Sequence, residues 1–552
     1  TLIERRLITS PKTAAELMSL VQQRLQGFWA NQQPTVKIRW QMIQEAGEIL
    51  SLAEKINQAL KGNLSASVLF EKYTSGDRPW CVLDTQHRHL ERDYNTFDVD
   101  ARDHDSLVKL VSAALSRYAE ITQELALRFS QAYEAAGFIL PGIQQQSRIY
   151  IDFVDPQVKT VKTAYLLVDA FRYEMARELC SQLPEEWQYS LNPAIATPPT
   201  ITEVGMAALM PGAEKGMSLA KAGPGKLGVK VDGSILKNRL DRVGHVITKG
   251  VGPVVVSSLS DIAPLKDKHL RTKLADAQLV VITATEEIDG LWENQPSMAR
   301  QLQDHAFDQL RRGIRALFGL GIQKVIVTAD HGFLAGSNLA MGEPVDSPGG
   351  DEADLHRRVW VGKGGAAVPN FLRKPISAFG LGGDLELVTP YGLAVFKAPG
   401  GSLEYFHGGL SLQEIVIPVL MISSGASPVD VEKPPFHWEI EMGSDKITTR
   451  FFSVTVKGSA ENLLAQAPRI RVEIRSGDQV ISHPVAATYG YNEATRDVSM
   501  EYETSMPGSL KGNTITLQVT EAPNIDKVDL HLLDEIGVTL VKVAGIPVDI
   551  AF

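Results

Sequence analysis

The chain has 552 residues, 22% charged and 44% hydrophobic, and a net charge of -10; these are values of a soluble globular protein of about three domains. The negative balance argues against non-specific nucleic-acid binding by the whole surface, although a local basic groove stays open. Two cysteines, Cys81 and Cys180, give no disulfide framework and fit a reducing, cytoplasmic compartment, and no apolar run is long enough to span a membrane. The chain opens on Thr1-Leu-Ile-Glu-Arg-Arg, not Met, so a fragment lacking an N-terminal part is expected.

Residues 1–150 read as helical. Met42, Ala46, Ile49, Leu50, Ala53, Ile56 and Leu60 fall at helical spacing, as do Leu107, Val111, Ala114, Tyr118, Ile121 and Leu125. Between them stand Asp84, His87, His89, Glu91 and Asp93, then Asp98, Asp100, Asp103, His104 and Asp105. Arg88, Arg92 and Arg102 neutralise them locally, so a solvated helix–helix connection is expected rather than a metal site.

From about residue 151 short apolar runs alternate with helical stretches, the pattern of a mostly parallel sheet. Strands are expected at Ala164–Val168, Leu279–Thr283, Lys324–Thr328 and Glu414–Ile422. Two insertions break the alternation, near 212–270 and 334–404. Gly223-Pro-Gly-Lys-Leu-Gly228 in the first is not a phosphate-binding loop, because no Ser or Thr follows Lys226. Loops of this length shape substrates or act as lids. After a Ser-, Gly- and Pro-rich linker, residues 430–552 alternate with period two, as in Phe452, Val454, Val456 and Ile515, Leu517, Val519, and predict a β-sandwich.

The strand ends of the α/β region carry the chemistry. Asp169 follows the first strand; taken alone it is a metal ligand, a base or a helix cap. Glu286, Glu287, Asp289 and Glu293 follow the second strand, Asp330-His331-Gly332 the third, and His407-Gly408-Gly409 precedes the last. If these ends converge, Asp oxygens and His nitrogens can hold two divalent cations, a donor mixture that suits zinc or manganese. Each Gly after a His allows a sharp turn beside the ion. Pro198-Pro-Thr-Ile-Thr202 places Thr200 and Thr202 before an apolar helix, where backbone potential favours a phosphate. A plain Thr cap is the alternative.

The ordered set Asp169, Pro-Thr-Ile-Thr202, Asp289, Asp330-His331-Gly332 and His407-Gly-Gly resembles the alkaline phosphatase superfamily. Val168-Asp-Ala-Phe-Arg-Tyr-Glu174, Thr328-Ala-Asp-His-Gly-Phe333 and His407-Gly-Gly-Leu-Ser-Leu-Gln-Glu414 resemble the PglZ proteins of BREX phage-defence systems. The resemblance spans about residues 150–425. It implies an alkaline phosphatase-like core at 151–425; with the helical region 1–150 and the β-sandwich 430–552 read from periodicity, a multidomain protein is expected. It implies a metal-dependent phosphodiesterase or nuclease with Thr202 as nucleophile. One cation, zinc or else manganese, falls to Asp169, Asp330, His331 and Thr202, and a second to Asp289 and His407. Where the superfamily's phosphodiesterases carry His, this chain has Glu293, with Glu286, Glu287 and Asn294 nearby. Arg172, Arg357, Arg358, Arg373 and Lys374 are candidates for phosphate contact, Arg172 and Arg358 foremost. Implied partners are other BREX components, including the DNA methyltransferase, and DNA or another phosphodiester. A catalytically weak metal-binding scaffold and a phosphomonoesterase are the alternatives.

Overall fold

The structure is a computed structural model that describes residues 2–9, 14–97, 105–223, 225–265, 267–336, 339, 342–398, 404–424, 436–460, 467–476, 479–493, 495–503, 506, 508–520, 527–534 and 539–550. Asp98, Asp100, Asp103, His104, the linker residues 425–435, Ile536 and Val538 lie outside the described residues. The chain forms two compact units, Thr1–Ala426 and Ser427–Phe552.

The first unit begins with helices. The longest are α1 (Pro34–Ala59) and, after α2 (Val82–Thr96), α3 (Asp105–Ala135). The helical spacing read from the sequence buries one stripe of each: Met42, Ala46, Ile49 and Ile56 on α1, Leu107, Val111, Ala114 and Leu125 on α3. One apolar core continues from them into the sheet.

The sequence reading of the polar stretch 84–93 is corrected. It is not a solvated connection but helix α2, with Asp84, His87, Arg88, Glu91 and Asp93 all buried. The charges are tolerated because each finds partners. Asp84 accepts hydrogen bonds from Tyr73 and Tyr118, both at 2.7 Å, and from Gln413 at 3.1 Å. Arg88 makes a bidentate pair with Glu174 of the α/β core, at 3.2 and 3.1 Å. This helix therefore docks on the core through ions rather than through an apolar face.

The central sheet has seven strands: β1 (Gln144–Gln145), β2 (Thr163–Val168), β3 (Gln188–Ile195), β4 (Val254–Ser258), β5 (Leu279–Ala284), β6 (Lys324–Ala329) and β7 (Val416–Ser423), in the order β1-β3-β7-β6-β2-β5-β4. β2, β5, β6 and β4 run parallel, and β2, β5 and β6 are near-continuously apolar, as strands covered on both faces must be. β7 is antiparallel to both β3 and β6. The expected strand Glu414–Ile422 starts later, because Leu412–Ile415 is a helical turn closed by a Ser411–Glu414 capping box. β3 and β4 escape the sequence reading. β3 is exposed at its first residues and carries Asn192 and Pro193, and β4 lies inside what reads as an insertion.

The rest of the first insertion includes a three-stranded antiparallel sheet of Met217–Gly223, Lys226–Val231 and Ser234–Leu236, helix α6 (Arg239–Lys249) and the short helix Leu259–Ile262; α4 (Tyr173–Ser181) and α5 (Thr202–Ala208) precede it and α7 (Pro296–Gly319) follows it. The second insertion folds into a four-stranded antiparallel sheet that includes Asp351–His356 and Val359–Lys363. The second unit is a β-sandwich: two antiparallel sheets share a core of Val454, Val456, Val472, Ile474, Ile515, Leu517, Leu530 and Leu532.

Candidate metal centre

The parallel register brings the first carboxylates together. Val168 pairs with Ala329, so Asp169 and Asp330 leave their strands side by side. Asp169 is no helix cap, since Arg172 takes the N-cap position of α4. Asp330 Oδ1 accepts the Ala170 and His331 N–H groups, at 3.1 and 2.9 Å. Asp330 Oδ2 and Asp169 Oδ1 are buried with no hydrogen-bond partner. Two buried carboxyl oxygens without a partner, side by side, suit a bound cation.

Thr202 opens α5, and its Oγ1 lies 3.2 Å from His331 Nε2. Gly205, one turn on, lets the helix approach the Asp330 backbone: a Cβ there would meet the Asp330 carbonyl carbon at 2.7 Å. Thr200 has a structural task, donating from Oγ1 to the Gly409 carbonyl at 2.8 Å. It ties the loop before Thr202 to the His407 loop.

Both histidines present an unprotonated ring nitrogen. His331 Nδ1 lies 3.0 Å from the Gly332 carbonyl and His407 Nδ1 lies 3.3 Å from the Thr200 carbonyl. A carbonyl only accepts, so in each ring Nδ1 carries the proton and Nε2 keeps its lone pair. Metal-ligating histidines are oriented in this way. The two rings stack at 4.3 Å. Gly408 has φ +116, a conformation that favours glycine, whereas Gly332 is needed because the Gln413 carbonyl packs where a side chain would sit.

Among the described residues three groups of donors have ligand atoms within 4.8 Å of one another: Asp169, Asp330 and His331; Asp289, Glu293 and His407; and Glu203, Asp354 and His356. Zinc bonds of about 2.0–2.2 Å would span such groups with small adjustments. Asp289 also accepts a hydrogen bond from the Tyr405 hydroxyl. Asn294 donates to the Gly290 carbonyl, and the Glu286 side chain lies outside the described part. The third group was missed in the sequence. Its only signal was Asp354 and His356 two apart on a strand, which places them on one face.

Protonation follows from burial. Burial first, then the Asp330 and Asp289 charges, pushes Asp169 well above its usual value. Burial raises Asp330 to about 6, although the Ala170 and His331 N–H groups oppose it. Burial lowers His331, and burial with the neighbouring His331 and His356 rings lowers His407 to about 3. At neutral pH both imidazoles are therefore neutral, the form that ligates.

The two arginines expected to meet phosphate do not reach this site as the chain is folded. Arg172 is 2% exposed; it pairs with Glu174 at 2.6 Å and covers the Phe333 ring at 4.5 Å. Arg358 is 0% exposed; it makes a bidentate pair with Glu414 at 3.1 and 2.8 Å and donates to the Gly392 and Ala394 carbonyls. A guanidinium so satisfied holds the His407–Gly409 loop, through Glu414, which accepts the Gly409 N–H at 2.8 Å. Arg373 and Lys374 pair with Glu386 and Glu134. Arg242 of α6 is near enough to Glu203, Asp330 and Asp169 to feel their charge. Buried Gln146 was also missed. It donates to the Ala329 and Asp330 carbonyls at 3.1 and 2.6 Å and accepts the Thr197 N–H at 2.8 Å, joining the Asp330 strand end to the loop before Thr202.

Residues 149–422 match the family model of the BREX system PglZ alkaline phosphatase-like domain. The alkaline phosphatase-like protein BrxZ of Escherichia coli O9:H4 (strain HS) is 24% identical over 435 residues, 73% of this chain and 47% of that protein. The alkaline phosphatase-like protein PglZ of Bacillus cereus (strain H3081.97) is 24% identical over 397 residues, 67% of this chain and 44% of that protein. The chain thus spans less than half the length of these relatives. Among solved structures, phosphonoacetate hydrolase from Sinorhizobium meliloti 1021 is 13% identical, with a TM-score of 0.32 over 47% of this chain and 89% of that one. The alkaline phosphatase-like core of this chain, residues 149–422, belongs to the PglZ family of BREX systems.

Proposed function

We propose that this chain is a metal-dependent phosphodiesterase or nuclease-like hydrolase of a BREX phage-defence system, with Thr202 as nucleophile. The observation that carries the reading is the convergence of orphaned Asp169 Oδ1 and Asp330 Oδ2 with a lone-pair-bearing His331 Nε2 beside Thr202 Oγ1. Asp169, Asp330, His331 and Thr202 would hold one cation, zinc or manganese, and Asp289, His407 and Glu293 a second. Bound there, the cations would acidify the Thr202 hydroxyl and neutralise charge on the phosphoryl oxygens. Thr202 Oγ, giving up its proton, attacks phosphorus in line, forming a P–O bond as the opposite ester oxygen leaves with its electron pair and departs as the alcohol once it takes up a proton. Water then cleaves the phosphothreonine ester and regenerates the hydroxyl. Asp330, held by the Ala170 and His331 N–H groups, keeps its free oxygen aimed at the centre. The fit of Asp, His and Thr donors favours a phosphoric ester over other esters.

The partners that follow are other BREX components, including the DNA methyltransferase, and DNA or another phosphodiester. The working division is a helical region 1–150, the core 151–425 and the sandwich 430–552. A metal-binding scaffold is the second reading, favoured by Glu293 at the position where the superfamily's phosphodiesterases carry His. Purified chain with added zinc or manganese is incubated with bis-p-nitrophenyl phosphate and with plasmid DNA. Metal-dependent turnover that Thr202→Ala and Asp330→Ala abolish is expected. Full turnover by either variant contradicts the mechanism. A metal-loaded chain without turnover gives the scaffold, and a monoester rate far above the diester rate gives a phosphomonoesterase.

A further inference from the structure

Helix α6 does not pack flush on the sheet. Between it, α5 and the ends of β4 and β5 remains a cavity of about 90 Å³ whose walls include Leu167, Met206, Met210, Val246, Val256 and Val281. Thr202 is also part of the lining, so the cavity and the candidate metal centre share the nucleophile. Two cations line it. Arg239 donates to the Thr283 hydroxyl at 2.8 Å and is thereby fixed to the wall. The Arg242 guanidinium makes no hydrogen bond or ion pair among the described residues, and lies within electrostatic reach of Asp169 and Asp330.

An apolar recess, a free guanidinium and a nucleophilic hydroxyl in one lining match the parts of a phosphoric ester. The recess excludes water from an apolar group, the guanidinium suits a phosphoryl oxygen and the hydroxyl faces phosphorus. Size narrows the group. A dry apolar cavity of about 150 Å³ accommodates benzene. A recess of about 90 Å³ that opens toward solvent takes one ring, partly inserted, and has no room for a fused bicycle.

We propose that this cavity is a substrate subsite that takes a single-ring ester group of pyrimidine or phenyl size, with Arg242 on the adjoining phosphoryl group. The proposal rests on the phosphodiesterase reading for its placement beside Thr202, but its test is binding rather than turnover.

The zinc-loaded chain is titrated calorimetrically with inorganic phosphate, phenyl phosphate, thymidine 5′-monophosphate and adenosine 5′-monophosphate. Phenyl phosphate and the thymidine nucleotide are expected to bind at least tenfold more tightly than phosphate, and the adenosine nucleotide to gain less. Val243→Trp fills the recess from α6, and Met206→Trp fills it from α5. Each is expected to bring the phenyl-to-phosphate ratio to about one and to leave phosphate affinity unchanged, which also shows that the variant is folded. Arg242→Gln is expected to weaken phosphate and phenyl phosphate by the same factor. A ratio near one in the unmodified chain overturns the subsite, as does a ratio that survives both filling variants. Diester turnover without ring preference overturns the subsite alone. Ring preference without diester turnover leaves the subsite standing and overturns the catalytic reading alone.

Discussion

Gly205→Ala separates the geometry of the centre from the stability of the helix that carries it. Thr202 opens α5 and Gly205 is one turn later, packed on the Asp330 backbone. A Cβ at 205 would lie 2.7 Å from the Asp330 carbonyl carbon and 2.8 Å from its Cβ. Carbon atoms in contact prefer about 3.5–4.0 Å, so the helix must retreat by roughly 1 Å. The obstacle is backbone at the end of a central strand, which cannot yield as a flexible side chain can. Thr202 then moves relative to Asp330 and His331, and a misplacement of about 1 Å costs on the order of 100-fold in rate. Helix propensity pulls the other way, since Ala is favoured over Gly by about 1 kcal/mol. The control is Gly244→Ala on α6, where nothing lies within 4 Å of the added carbon. The control is expected to gain about 0.5–1 kcal/mol in urea unfolding with its rate unchanged. Gly205→Ala is expected to lose about 100-fold in metal-dependent diester hydrolysis while remaining folded. Full activity in Gly205→Ala would show that the approach of α5 to Asp330 does not position the nucleophile, and the reasoning would fail.

Other perturbations test the supports around the centre. Arg358→Met leaves Glu414 buried and unpaired, and is expected to cost about 3–5 kcal/mol in denaturant unfolding. Arg358→Met with Glu414→Leu should recover part of that, whereas equal losses would refute a paired role. Gln146→Ala removes three hydrogen bonds, two of them buried, and is expected to cost about 1–3 kcal/mol and to weaken metal binding. Unchanged metal affinity would mean that Gln146 does not hold the two loops in place. Acid should loosen the docking of α2 on the core. Burial alone would raise Glu178, but hydrogen bonds from His89 and Arg88 take it from the usual 4.5 to about 2. A depressed folded value stabilises above the unfolded one, so about 3 kcal/mol present at pH 7 is lost as pH falls from 4.5 toward 2. Glu178→Gln should flatten that stretch of the stability curve, and an unchanged curve would refute the assignment.

The candidate centre was legible in the sequence where local rules sufficed. Apolar runs of strand length ended in Asp169 and Asp330, and a parallel register sets such ends side by side. Period two gave the sandwich strands, since a sheet with one buried face must alternate. What remained hidden depends on distant partners. Arg172 and Arg358 carry the right charge for phosphate, but Glu174 and Glu414 claim them in the interior. The charges of α2 looked solvated because Glu174, which pairs with Arg88, and Gln413 and Tyr118, which donate to Asp84, are far off in sequence. Asp354 and His356 sit in an insertion, where no periodicity announces that the strand will fold back toward Glu203. β4 was absorbed into the first insertion because its neighbours are a hairpin and a helix rather than the regular alternation.

Anomalous diffraction from crystals of the chain grown with zinc, and separately with manganese, tests the central claim most directly. The account predicts one peak among Asp169, Asp330, His331 and Thr202 and a second against Asp289 and His407, with the first lost in Asp330→Asn. Crystals that hold either metal elsewhere and show no anomalous density at Asp169 and Asp330 would contradict it.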